Sequence, residues 1–149
     1  MERVAAAIAL YAGKPSDLEV FLVHRAKELR FFGGYFAMPG GVRAECDGPD
    51  HPEMGDGPAL RECALRELFE ETGVLLDTGM RALPSERKSE LRKALISRDE
   101  AVSAAAWREL VAVSVGDAEL REVCRIKTPA FAPVRYDTVF FLAELPPEE

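Results

Sequence analysis

Several things are scarce in this chain, and each scarcity removes a class of protein. Only three cysteines occur, Cys46, Cys63 and Cys124, in no C-x-x-C pair. An odd count with that spacing excludes a full disulfide framework and a cysteine zinc site, so reduced thiols and a cytoplasmic setting are expected. Long apolar runs are missing too. Val4 to Tyr11 follows the acid Glu2 and is too short and wrongly flanked for a signal peptide, so it reads as a strand. Ala101 to Val115 is interrupted by Arg108 and Glu109 and is too short to cross a membrane. Positive charge is also deficient: the net charge is -7 and the Lys and Arg residues are scattered, which speaks against a nucleic-acid partner. The two histidines, His24 in an apparent strand and His51 in an apparent loop, read as incidental rather than as general bases.

What remains is enough for one domain with a real core: 149 residues, of which 48% are hydrophobic. Arg3 to Ala12 and Leu18 to His24 read as strands separated by a Gly-Lys-Pro-Ser-Asp turn, and Tyr35 to Met38 as a short strand. A helix is expected from about Pro58 to Thr72, with Asp56 as its N-cap and Pro58 in its first turn. Three helical stretches follow, Ser85 to Ser97, Arg98 to Val113 and Asp117 to Val123, before a closing strand from Asp137 to Leu145. That order predicts an α/β fold with a helix packed on a mixed sheet. Trp107, Leu110 and Val111 give the later helices an apolar face, to be buried on the sheet or the first helix, with a lid or a homodimer surface as the alternative.

The run Arg66-Glu67-Leu68-Phe69-Glu70-Glu71-Thr72-Gly73-Val74 carries the most chemistry. At 100° per residue, Glu67 and Glu71 lie one above the other with Glu70 adjacent, while Leu60, Ala64, Leu65, Leu68 and Phe69 spread over the opposite side. Three carboxylates so placed repel one another and favour a cation. Hard divalent metals take such oxygen ligands and share them with water and phosphate. A solvated acidic face is the plainer reading of this pattern in isolation. Its surroundings favour the site: Gly40 and Gly41 precede it, allowing close backbone approach to phosphate, and Gly73 suits a left-handed helix end.

Gly41, five residues, Asp47 and then R-E-L-F-E-E-T-G-V resembles the Nudix box, G-x5-E-x7-R-E-U-x-E-E-x-G-U with U aliphatic. Asp47 stands where the family has Glu, and 18 residues rather than 7 separate it from Arg66, the extra ones being a loop over about 48–58. The resemblance implies a single Nudix domain over 1–149 with an α/β/α sandwich. It implies Mg2+ or Mn2+ held by Glu67, Glu71 and the Gly40 carbonyl, with Glu70 sharing the metal or acting on the attacking water. Arg66 would orient the carboxylates, and Asp47 and Gly73 would support the box. Ahead of the box, Arg25-Ala26, Arg30, Gly34 and Met38-Pro39-Gly40-Gly41 keep a spacing similar to that of coenzyme A diphosphatases. That implies substrate phosphates on Arg25, Arg30 and Gly41. Phe21, Val23 and Met38 depart from the pattern. A looser likeness to longer acyl-CoA diphosphatase relatives spans Thr128-Pro129 and Arg135 to Phe141.

The helices over about 85–123 exceed a minimal Nudix domain, whereas the strand and helix that usually follow the last strand are expected to be missing. Three functions stay open. The first is cleavage of CoA or acyl-CoA to 3′,5′-ADP and a phosphopantetheine. The second is hydrolysis of ADP-ribose, dinucleotide polyphosphates or nucleoside triphosphates, and the third a non-catalytic nucleotide-sensing module. A small-molecule nucleotide is the expected partner in all three, with no membrane involved.

Overall fold

The computed structural model describes residues 2–28 and 33–147. Its strands are β1 (Glu2–Ala12), β2 (Glu19–Val20), β3 (Val23–His24), β4 (Phe36–Ala37), β5 (Gly40–Val42), β6 (Arg121–Lys127) and β7 (Arg135–Glu144). Its helices are α1 (Gly57–Thr72), α2 (Thr78–Arg81), α3 (Ser85–Leu95) and α4 (Glu100–Val113), with a 3-10 turn at Glu45–Asp47. The main sheet runs β2-β1-β7-β6, with β5 also on β1. β1 and β7 are parallel, whereas β2 and β5 pair antiparallel with β1 and β6 pairs antiparallel with β7. This is the mixed α/β architecture expected above.

Alternation along the strands sends Ala6, Ile8 and Leu10 of β1 and Val139, Phe141 and Ala143 of β7 to one face. There they meet Leu60, Cys63, Ala64 and Leu68 of α1. A second core lies beyond α1, where Phe69 packs with Met80, Leu91, Leu95, Trp107 and Leu110. The helix is therefore apolar on two sides, and its acids occupy the strip between. Trp107 is fully buried, and its indole donates to Glu62 Oε1 of α1 at 3.1 Å. Burying each such Leu, Ile or Phe contributes about 1.5–3 kcal/mol, so both layers hold α1 firmly.

Two elements depart from expectation. Leu18 to His24 splits: β2 extends the main sheet, but β3 pairs with β4 in a separate two-stranded sheet. Asp117 to Val123, expected as helix, is corrected by the structure to a loop leading into β6. Leu120 alone turns into the core there, and β6 is exposed throughout. No helical apolar stripe exists to be buried, whereas pairing with β7 satisfies the backbone. The charges of Arg121, Arg125 and Lys127 protect this edge from further pairing. Asp56 occupies the N-cap position of α1, but its carboxylate makes no cap bond and instead grips Arg125 at 2.8 and 3.0 Å. No described helix is long and apolar enough to cross a membrane.

Candidate active site

α1 ends at Gly73, whose φ of 77° places it in the left-handed region, and its N–H returns to the Phe69 carbonyl at 2.9 Å. The strip of α1 that faces neither core carries Arg66, Glu67, Glu70 and Glu71. Arg66 is 5% exposed and organises this strip. Its Nε and Nη2 donate to Asp47 at 2.7 and 3.0 Å. Nη1 donates to Glu67 at 3.1 Å and Glu70 at 2.9 Å, and Nη2 also reaches the Val42 carbonyl at 3.2 Å.

Asp47 pairs with Arg66 despite being shorter than the family's glutamate. Asp47 lies at the end of the 3-10 turn, and its Oδ2 also accepts from Ala44 N at 2.8 Å, closing that turn. The loop after it is self-contained. Arg43 binds Asp50 at 2.6 Å and the Gly48 carbonyl at 2.7 Å. His51 pairs its backbone with Gly55, and its Nδ1 accepts from Glu53 N and Met54 N at 3.1 and 3.2 Å. Arg125 joins Asp56, at the loop's end, to Asp137 of β7. His24 likewise belongs to a hairpin: Nε2 is 3.0 Å from the Gly34 carbonyl, and the ring stacks on Phe36 at 4.4 Å.

The glycine loop lies directly under the acids. A Cβ on Gly41 would overlap the Glu67 carboxylate, and one on Gly40 would overlap Ala6 and Ala7 of β1. The Gly40 backbone and the Arg25 guanidinium both stand near enough to Glu71 to favour its ionised form. A cavity of about 560 Å³ adjoins them, lined by Arg25, Gly40 and Gly41 together with Tyr35, Phe36 and Phe140. Arg30 lies outside the described residues.

All three glutamates hold protons more tightly than usual. Burial pushes Glu67 up to about 7, with Glu70 and Glu71 adding to the shift against the opposing pull of Arg66. Burial also raises Glu70, partly offset by Arg66, and raises Glu71, partly offset by the Gly40 backbone and Arg25. Four carboxylates, Asp47, Glu67, Glu70 and Glu71, thus face two guanidiniums, Arg66 and Arg25. With all four carboxylates ionised the balance is about two negative charges, which is the deficit one divalent cation would fill. Yet among the described residues no three acid, His or Cys groups converge tightly enough to hold a metal by themselves. Arg66 Nη1, sitting between Glu67 and Glu70, is one reason. Hard oxygen donors with water and ligand completing the shell suit Mg2+ or Mn2+.

Arg92 escapes any reading of the sequence. From α3 it donates to the carbonyls of Phe69 and Glu70, at the end of α1. Neither helical periodicity nor motif spacing signals a contact across 22 or 23 residues.

The NUDIX domain model matches residues 1–124. A NUDIX hydrolase from Alicyclobacillus acidocaldarius is 33% identical, with a TM-score of 0.72, the match covering 95% of this chain and 69% of that one. The NUDIX domain of Shewanella oneidensis NrtR, solved with ADP ribose, shares the fold at 16% identity, with a TM-score of 0.55 and coverage of 99% and 63%. No curated protein matches. The chain belongs to the Nudix hydrolase family.

Proposed function

We propose that this protein hydrolyses the diphosphate bond of a nucleoside diphosphate linked to a second group, with ADP-ribose the first substrate to test. The observation that carries the reading is the placement of Glu67 against Gly41 and of Glu71 by Gly40 and Arg25, with Glu70 joined to Glu67 through Arg66. In this reading Arg25 and the glycine loop seat the phosphates, and Glu70 draws the proton from the attacking water as a phosphorus–oxygen bond of the diphosphate breaks. Arg66, fixed by Asp47, keeps Glu67 and Glu70 oriented. Glu67, Glu71 and the Gly40 carbonyl would hold Mg2+ or Mn2+, which when bound would neutralise phosphate oxygens and make water more acidic.

The similarity to an ADP-ribose-bound Nudix domain is one of fold, and it makes ADP-ribose a reasonable first choice without naming the substrate. CoA is the second reading. Its support is the Arg25 to Gly34 spacing together with Arg25's place at the cavity.

A chromatographic panel with Mg2+ across ADP-ribose, CoA, NADH, diadenosine polyphosphates and nucleoside triphosphates tests the proposal. Cleavage of one member, lost in Glu71→Gln, is the expected result. Full activity in that variant refutes the metal role, and tight binding of a nucleotide without turnover identifies a sensor instead.

A further inference from the structure

The last four carbonyls of an α-helix lack intrahelical partners, and cations are favoured beside them. In α1 these carbonyls belong to the turn that carries Glu70 and Glu71, and of them the Phe69 carbonyl already accepts the Gly73 N–H at 2.9 Å. Arg92 Nε donates to the Phe69 carbonyl at 3.1 Å and the Glu70 carbonyl at 3.2 Å, and Nη2 donates to the Glu70 carbonyl at 3.2 Å. The same guanidinium covers Gly73, where an added Cβ would meet Nη1 at 3.4 Å. One arginine from α3 therefore spans the end of the box helix.

The need for such a clamp follows from where α1 is anchored. Leu60, Cys63, Ala64 and Leu68 lock its body onto the sheet, and Phe69 locks it onto the second helical layer. Within α1 the buried apolar anchors end at Phe69 and resume only past the helix, at Val74 and Leu75, so the turn between, with Glu70 and Thr72 half-buried and Glu71 exposed, has none of its own. A turn without buried anchors of its own opens more easily, and opening here would move Glu71 away from Gly40 and Glu70 away from Arg66.

We propose that Arg92 is a positioning residue for the site. By clamping the Phe69 and Glu70 carbonyls it sets where Glu70 and Glu71 stand over the glycine loop, making α3 part of the catalytic scaffold. This rests on the reading of those acids as the reactive ones. An arginine that merely docked α3 would contribute stability and leave the acids in place.

The test compares Arg92→Ala and Arg92→Lys with Leu95→Ala, which weakens the same helix and core while leaving the Arg92 bonds to the Phe69 and Glu70 carbonyls in place. Turnover is measured well below each variant's Tm on the panel member that the wild type cleaves, and Mn2+ affinity is measured by paramagnetic resonance. Arg92→Ala is expected to lower kcat about tenfold or more while KM stays within about twofold, as displaced reacting groups do. Its Mn2+ affinity should fall by about tenfold on the same grounds. Arg92→Lys, with charge but no fork, should recover part of both. If Arg92→Ala does not fold, Arg92→Lys carries the comparison. Leu95→Ala should lose Tm but keep kcat and Mn2+ affinity. Arg92 variants that match Leu95→Ala in both readouts overturn the proposal. A wild type that cleaves nothing refutes the hydrolase reading alone, and Mn2+ affinity then decides the role of Arg92, unchanged affinity in its variants refuting it.

Discussion

Replacing Asp47 with Asn removes one negative charge from a fully buried position while preserving shape. Asp47 is 0% exposed and makes a two-pronged pair with Arg66 at 2.7 and 3.0 Å. Deleting one member of such a pair costs about 3–5 kcal/mol, because the remaining charge is left buried without compensation. Arg66 keeps Glu67 and Glu70 at 3.1 and 2.9 Å, so its charge is not orphaned. The loss should therefore sit near the low end, about 3 kcal/mol. A domain with about 5–15 kcal/mol of stability survives that. With a urea dependence of about 1–3 kcal/mol per molar, the midpoint should fall by roughly 1–3 M. Urea titration followed by Trp107 fluorescence measures it, since that indole is buried against α1. Arg66 should also drift from the Val42 carbonyl, so kcat should fall with stability. A loss below about 1 kcal/mol, the scale of an exposed pair, would refute the claim that this contact anchors the box. Asp47→Glu, which restores the family's usual residue, should cost about 1–3 kcal/mol here, because the added methylene has no room.

Gly41→Ala should lower kcat about a hundredfold, since the new methyl displaces the Glu67 carboxylate, and steady-state kinetics beside a melting curve would show activity falling far more than stability. Chelation of divalent ions should abolish turnover and Mg2+ or Mn2+ should restore it; activity that survives exhaustive chelation would exclude a metal from the step. Asp77 gives a stability prediction away from the site. Burial opposes its charge, but bonds from Ser114 and from the Met80, Val115 and Gly116 amides prevail and hold its pKa below the usual carboxylate value. A lowered folded pKa means that its stabilisation is present above about pH 4, where the unfolded carboxylate is ionised, and is lost as pH falls through the folded value. Asp77→Asn should therefore cost about 2 kcal/mol near neutrality, and its denaturation midpoint should converge on that of the wild type in acid.

Part of the site could be read because its determinants are local. Glu67, Glu70 and Glu71 share a strip by helical spacing, and Gly73 ends α1 because a left-handed residue must follow it. The insertion between Asp47 and Arg66 read as loop from its Pro, Gly and Asp content, and it is a self-bonded loop. Asp117 to Val123 carries no period that marks the start of β6, because only Leu120 in it is buried and β6 itself is exposed; the state of β6 comes from pairing with β7. Asp56 shows the same limit, since a good capping residue was taken by Arg125, 69 positions away.

The sequence alone determined the helix with its acidic strip, the glycine loop before it and the α/β class, because each depends on propensities and periods within a few residues. Only the tertiary structure decided that Asp47 reaches Arg66 across its insertion, that Arg25 stands beside Glu71, and that Arg92 closes the end of α1. Those contacts join elements far apart in the chain, and burial and packing, which no local pattern records, bring them together.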